Sequence, residues 1–322
     1  MENLVRRAII MLVVDAHCDT LTKAMELNTN IQKNECHIDL HRLKQYEQYV
    51  QFFAAFIDPD LYKGCAMRRA IQVIDFFYGQ LDIYSDDIML CCNYNDILRA
   101  YENNKVAALL SIEGGEALEG SLGALRMFYK LGVRSLCLTW NYRNEIADGV
   151  IDGESGGGLT HFGKEVVAEM NKLGMLIDVS HLSERGFWDV CEFSSQPIIA
   201  SHSNSKSVCS NIRNLTDSQI SAIKEKGGVI GINFYPLFLN NTYKACITDI
   251  IRHIEHISAF AGCDYIGLGS DFDGIGYTPE NIKGVQDTYL LFNELLKLNY
   301  SEEFLRKFAG ENFMRVIKQV LK

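Results

Sequence analysis

The 322-residue chain has only four prolines, no Gly/Ser/Pro-rich stretch, no low-complexity segment and no repeat of fixed period. Nothing in it marks a linker, and a solenoid is excluded. No apolar run is long enough to span a bilayer. The run Ala8 to Val14, after Arg6 and Arg7, is short and stops at Asp15, so it reads as a strand rather than a secretory leader. Positive charge is also scarce: 31 Lys and Arg against 41 Asp and Glu give a net charge of −10. That argues against nucleic acid as a partner, because binding phosphate needs clustered cations. The ten cysteines include no C-x-x-C pair, so a zinc ribbon is not expected. A chain of this length does not need disulfide staples, and the thiols are expected to be reduced and the compartment cytoplasmic.

What is present is an alternation. Apolar runs ending in polar residues recur along the chain: Ile10–Val14, Val50–Ile57, Val106–Ile112, Ser135–Thr139, Met175–Val179, Ile198–Ala200, Val229–Ile232 and Tyr265–Leu268. Stretches of helical periodicity separate most of them, among them 122–131, 162–173, 184–192, 217–226 and 250–261. The longer interval Tyr62–Asn104 predicts two helices, 66–84 and 94–102, and Ser301–Val320 predicts two more. Continuous apolar strands alternating with helices imply a parallel sheet covered on its outer face. Eight units in one domain, residues 1–322, predict an α/β fold: a single (β/α)8 TIM-like barrel with extra helices. The alternative is an open doubly wound sheet, weakened by the lack of a Gly-rich phosphate turn after the first strand.

In such barrels catalytic groups stand at the C-terminal ends of strands. Here those ends collect His17, Asp19, Glu113, His181, His202 and Asp271. His17 and Asp19 form an H-x-D pair that an extended strand turns to one face, with Cys18 turned away as a small buried hydrophobe. Glu113 is followed by two glycines, so nothing bulky hinders its approach to metal, and its two oxygens could bridge two ions. His181 and His202 close consecutive strands in IDVSH and IIASH, and imidazole suits Zn²⁺ or another first-row ion. Asp178, Ser180 and Ser201 are candidates for orienting those rings. In GSDFDG, Asp271 and Asp273 compete for the inward position; Asp271 comes first and could bind metal or act as general base and acid. Together these residues suggest a two-metal hydrolase acting on an amide or a phosphate ester. Of the other histidines, His37 and His41 read as a solvated helix face, His253 and His256 lie on an outer amphipathic helix, and His161 opens a helix near the mouth.

The motifs DAHCD, SIEGG, LCLTWN, IDVSH, SHSNSKSVCSNIRN, INFY and GSDFDG stand in this order over about 300 residues. In them the chain resembles the renal (membrane) dipeptidase family of zinc-dependent, amidohydrolase-like hydrolases. The resemblance implies two zinc ions per chain. His17, Asp19 and Glu113 would hold one, and Glu113, His181 and His202 the other, with a hydroxide between them as nucleophile. It implies Asp271 as the proton carrier, Arg213 as the clamp on the C-terminal carboxylate of a small dipeptide, L-L or L-D, and a homodimer. Trp140 departs from the pattern: animal members have His in the LT-H motif, so Trp140, Asn141 or zinc alone would make the contact to the substrate carbonyl. The animal enzymes are secreted and lipid-anchored, and this chain is expected to have neither leader nor anchor nor any membrane association. Other binuclear hydrolases of the same scaffold, acting on N-acyl amino acids, cyclic amides or phosphate esters, are the alternative.

Overall fold

The computed structural model describes residues 11–322. Nine parallel strands run β1 (Leu12–Cys18), β2 (Gln48–Phe56), β3 (Ile88–Leu90), β4 (Val106–Glu113), β5 (Val133–Cys137), β6 (Leu176–Asp178), β7 (Ile198–Ala200), β8 (Val229–Ile232) and β9 (Ile266–Leu268). Pairing passes from β1 through β2 and β4 to β9, and β9 returns to β1 through Asp15 and Leu268. The result is the expected closed barrel of eight strands. The ninth, β3, lies against the first half of β4, pairing Ile88 with Val106, and takes no part in closure. It was not expected, since the interval 62–104 that holds it was read as two helices and their connection.

The strands are buried along nearly their whole length, because helices cover them outside and side chains fill them within. Val14, Phe52, Leu109, Leu176, Ile199 and Val229, from six strands, form one cluster with Phe313 and Ile317 of the C-terminal helix. Side chains from so many strands meet only in the barrel interior. The outer helices each present an apolar stripe. In Ile247–Ala261 it is Ile250, Ile254, Ile257 and Ala261, at helical spacing. Their starts are written in the sequence: Asn93, Ser121, Thr160, Ser183 and Thr216 each cap a helix with a side-chain oxygen.

Three expectations need correction. The first strand was placed at Ile10–Val14, of which Ile10 lies outside the described residues. The strand continues to Cys18, so His17 is part of it rather than beyond it. The pairing of β1 with β2 slips between Asp15 and Cys18, and such an extra residue re-aims the side chains that follow. The two helices expected in 301–320 form one run, Glu302–Val320, with a π-helical turn at Lys307–Glu311. Finally, His37 is not helical: Asp39 caps a single turn, Leu40–Leu43, that begins after it.

Candidate active site

Six polar side chains meet at the C-terminal mouth of the barrel. His17 Nε2 lies 3.3 Å from Asp19 Oδ2, 3.2 Å from Glu113 Oε2 and 4.0 Å from Asp271 Oδ1. The other oxygen of Glu113, Oε1, lies 2.9 Å from His181 Nε2 and 3.5 Å from His202 Nε2. The two imidazole nitrogens are 2.8 Å apart. Glu113 thus divides its carboxylate between two groups of side chains, His17 with Asp19 and His181 with His202.

The rings are aimed by their far nitrogens. His181 Nδ1–H donates to Asn141 Oδ1 at 2.7 Å. His202 Nδ1–H donates to Ser201 Oγ at 2.7 Å, and that hydroxyl donates to Asp178 Oδ2 at 2.5 Å. Each bond leaves an Nε2 lone pair turned toward Glu113. Ser201 and Asp178 are among the residues expected to orient the rings. Asn141 was read as a substrate contact. It borders the cleft, but its carbonyl is spent on His181.

Electrostatics follow from this packing. Burial, followed by the charge of Arg213, pushes His181 down to about 3, and burial with the charge of His17 holds His202 well below the ordinary value. Both stay neutral, as metal ligands must. Burial opposes a proton on His17, but the carboxylates of Glu113 and Asp19 prevail and hold it well above the usual range. Burial and the neighbouring charge of Glu113 raise Asp19 to about 6. Asp271 rises to about 7, through burial reinforced by the charges of Asp19 and Glu113.

The donor set fits metal. Ligand atoms of His17, Glu113 and His202 lie within 4.8 Å of one another, as do those of His17, Asp19 and Asp271. Buried His17 Nε2 and Asp19 Oδ1 make no hydrogen bond among the described residues, and unpaired polar atoms that converge in this way suit a cation.

Asp271 and Asp273 are separated by their partners. Asp273 accepts from His37 N–H at 2.7 Å and Thr20 Oγ1–H at 2.5 Å, which uses both its oxygens. Asp271 accepts one bond, from Asn233 Nδ2 at 2.8 Å, and its Oδ1 faces the ligands. Asn233 directly follows the apolar run Val229–Ile232, and nothing in the sequence marks it as a partner of Asp271. Gly274 keeps this corner open, since a Cβ there would run into Asp19 Oδ2 and Asp271 Oδ1.

A cleft of about 440 Å³ opens over the ligands, lined by Phe56, Tyr62, Arg69, Trp140, Tyr235 and Phe238 among others. Trp140 packs its ring against Phe56 and lies 6.2 Å from the His181 ring. Arg213 stands behind the wall, its guanidinium over the Phe238 ring. It is 6% exposed, donates from Nη2 to the carbonyl of His202 at 3.3 Å, and has an unpaired buried Nε.

The other histidines serve structure. His253 is fully buried, accepts from Ser205 N–H at 3.1 Å and donates to the carbonyl of Leu239 at 2.9 Å. His256 pairs with Asp217 at 2.6 Å. His161 begins the helix His161–Leu173. His37, far from being a solvated helix residue, holds the turn after β9.

A closed parallel barrel whose strand ends gather three imidazoles and three carboxylates defines a metal-dependent hydrolase of the amidohydrolase-like class. The model of the membrane dipeptidase family (peptidase family M19) matches residues 3–322. The chain belongs to this family and is a metallo-dipeptidase, a hydrolase of peptide bonds. It is similar to the metallopeptidase dipeptidase AC of the same family, at 28% identity and TM-score 0.89 over 97% of this chain and 99% of the other. It is also similar to a metallopeptidase from Rhodobacter sphaeroides, solved with a phosphinate mimic of the dipeptide L-Ala-D-Ala, at 26% identity and TM-score 0.88 over 97% and 99%. The probable dipeptidase PvdM from Pseudomonas aeruginosa shares the fold, at 22% identity and TM-score 0.88 over 99% and 97%.

Proposed function

We propose that the enzyme is a two-zinc dipeptidase in which His17, Asp19 and Glu113 would hold one ion and Glu113, His181 and His202 would hold the other. The observation that carries this is the division of the Glu113 carboxylate, one oxygen toward each group. The donor set is nitrogen and oxygen only, which suits zinc. When bound, the ions supply Lewis-acid polarisation of the scissile carbonyl and activation of a water.

The chain supplies the remainder. Asp271 takes the proton of the attacking water and gives it to the leaving amine, and its value of about 7 suits an acid–base group at neutral pH. Its free oxygen is on the ligand side while Asn233 holds the other. Arg213 binds the C-terminal carboxylate of the substrate, supported by its buried unpaired Nε beside the ligand-bearing strand. Trp140 has one N–H and no charge, so it bounds the cleft by shape and can add at most one hydrogen bond to the carbonyl. L-D dipeptides are substrates alongside L-L ones, supported by the L-Ala-D-Ala mimic held by the Rhodobacter relative. Ten unpaired cysteines support a reducing, cytoplasmic setting, and no helix among the described residues is long and apolar enough to cross a membrane.

The test is a panel of L-L and L-D dipeptides with N-acetyl amino acids and C-amidated dipeptides as controls. Zinc-loaded enzyme is expected to cleave free dipeptides of both kinds, and both chelation and C-amidation should abolish cleavage. Turnover of the C-amidated controls at equal rate would show the carboxylate clamp to be wrong, and turnover of the N-acetyl amino acids at equal rate would show the substrate class to be wrong.

A further inference from the structure

The turn that carries Asp271 is held in a conformation its own residues do not favour. Asp271 and Asp273 both have left-handed backbone, with φ of 62° and 70°. Residues with a Cβ rarely adopt it, and they keep it only where surrounding structure imposes it. Two sets of bonds fix the near side of the turn. Asp15 accepts from both the backbone N–H and the hydroxyl of Ser270, at 2.8 and 2.5 Å. The end of β1 binds the backbone: Asp271 N–H donates to the carbonyl of His17, and Asp19 N–H to that of Phe272.

The far side is fixed from outside the barrel. His37 and Asp273 exchange two hydrogen bonds. His37 N–H donates to Asp273 Oδ1 at 2.7 Å, and Asp273 N–H donates to His37 Nδ1 at 2.9 Å. Thr20 Oγ1–H takes the second oxygen of Asp273 at 2.5 Å. The His37 ring lies 5.5 Å from that of Phe272, the buried residue between the two aspartates. His37 is itself anchored, its carbonyl accepting from Val285 N–H at 3.0 Å. The segment that supplies it belongs to none of the eight barrel strands.

We propose that His37 and Asp273 form a clasp that positions Asp271 for proton transfer. With the clasp closed, the turn is pinned on both sides of Asp271, and its free oxygen has one reach toward the scissile bond. With the clasp open, the left-handed residue at Asp273 has lost its restraint, and the turn relaxes with Asp271 upon it. Asp273 is a positioning residue and not a second base, because both its oxygens are already bonded. The inference rests on the assignment of Asp271 as the proton carrier.

The experiment is a double-mutant cycle on zinc-loaded enzyme between His37→Ala and Asp271→Asn, with kcat, KM, bound zinc and Tm measured for each protein. His37→Ala is expected to lower kcat on the order of 10- to 100-fold, the usual effect of displacing a catalytic group by about 1 Å, with KM and zinc content unchanged. His37→Asn, whose side-chain carbonyl can accept where Nδ1 did, is expected to restore most of the rate. In the Asp271→Asn background His37→Ala is expected to cost nothing further, since the group it positions is gone. Equal fold losses in both backgrounds, or an unchanged kcat in His37→Ala, would overturn the clasp. A fully active Asp271→Asn would instead remove the assignment beneath it, a result separable from the first two. Should His37→Ala not fold, Thr20→Val removes another arm of the clasp and carries the same cycle, with a smaller loss of kcat and the same non-additivity.

Discussion

Replacing Ser201 by Ala tests how His202 is made a ligand. The hydroxyl accepts from His202 Nδ1–H at 2.7 Å, donates to Asp178 Oδ2 at 2.5 Å and has a longer contact, 3.4 Å, with Ser180 Oγ. Both partners are buried, and neither atom has a replacement at hand. Asp178 keeps two backbone donors, Ser180 and Ser201 N–H at 3.0 Å, but both are on Oδ1. Ser201→Ala therefore strands one carboxylate oxygen and one imidazole N–H. Each such loss costs about 1–3 kcal/mol, which makes a destabilisation of roughly 2–6 kcal/mol. The ring also loses what fixes its tautomer, and losing such a partner weakens metal affinity by about 10- to 100-fold. Titrating apo-protein with zinc against a competing chelator reads the second effect, and thermal or urea unfolding of the apo-protein reads the first. Ser180→Ala is the control. Its hydroxyl accepts the backbone N–H of His202 at 3.2 Å and lies 3.4 Å from Ser201 Oγ, but makes no hydrogen bond to the ring. Wild-type zinc affinity in Ser201→Ala would refute the reasoning, as would an equal loss in Ser180→Ala.

Two further expectations concern charge. Arg213→Met should raise KM for free dipeptides on the order of 100-fold, the cost of losing a buried charge-assisted hydrogen bond, with bound zinc unchanged; an unchanged KM would place Arg213 outside substrate binding. His253 gives a pH signature away from the metal ligands. Burial lowers it from 6.5 to about 4 in the folded chain. Between those values the unfolded chain binds one more proton, so this contribution is complete above pH 6.5 and is lost as pH falls toward 4, amounting to roughly 3 kcal/mol. Unfolding free energies measured from pH 4 to 7 should slope less steeply, by one proton, in His253→Asn; an unchanged slope would show that His253 titrates normally.

The barrel was legible because each strand is a short apolar run closed by a polar residue. The ends of those runs named His17, Glu113, His181 and His202, which the fold does bring together. Period and position identify residues that point inward but not the partners that hold them. The bond of Asn141 to His181 was not legible because it joins loops from different strands, and no local pattern reports such a bond. Asn233 was visible as a strand terminus, but its bond to Asp271 depends on the neighbouring strand's twist and register. His37 misled for the reverse reason. Its spacing from His41 suggested a helix, yet the Asp39 cap starts that helix too late to include it. The π turn at Lys307–Glu311 leaves the apolar stripe continuous, so the sequence gives no sign of one more residue in the turn.

The meeting of β1 with β9 is the seam where the first and last strands close the barrel, and its ladder is short: Asp15 pairs with Leu268, and Cys18 bridges to Phe272 just beyond β9. The rest of the stitching belongs to the reaction centre: Asp15 on Ser270, His17 on Asp271 and Asp19 on Phe272. Any breathing of the barrel that begins at this join therefore parts Asp271 from His17 and Asp19 at once. Loss of turnover under mild denaturant is expected no later than the first exchange of amide protons along this seam.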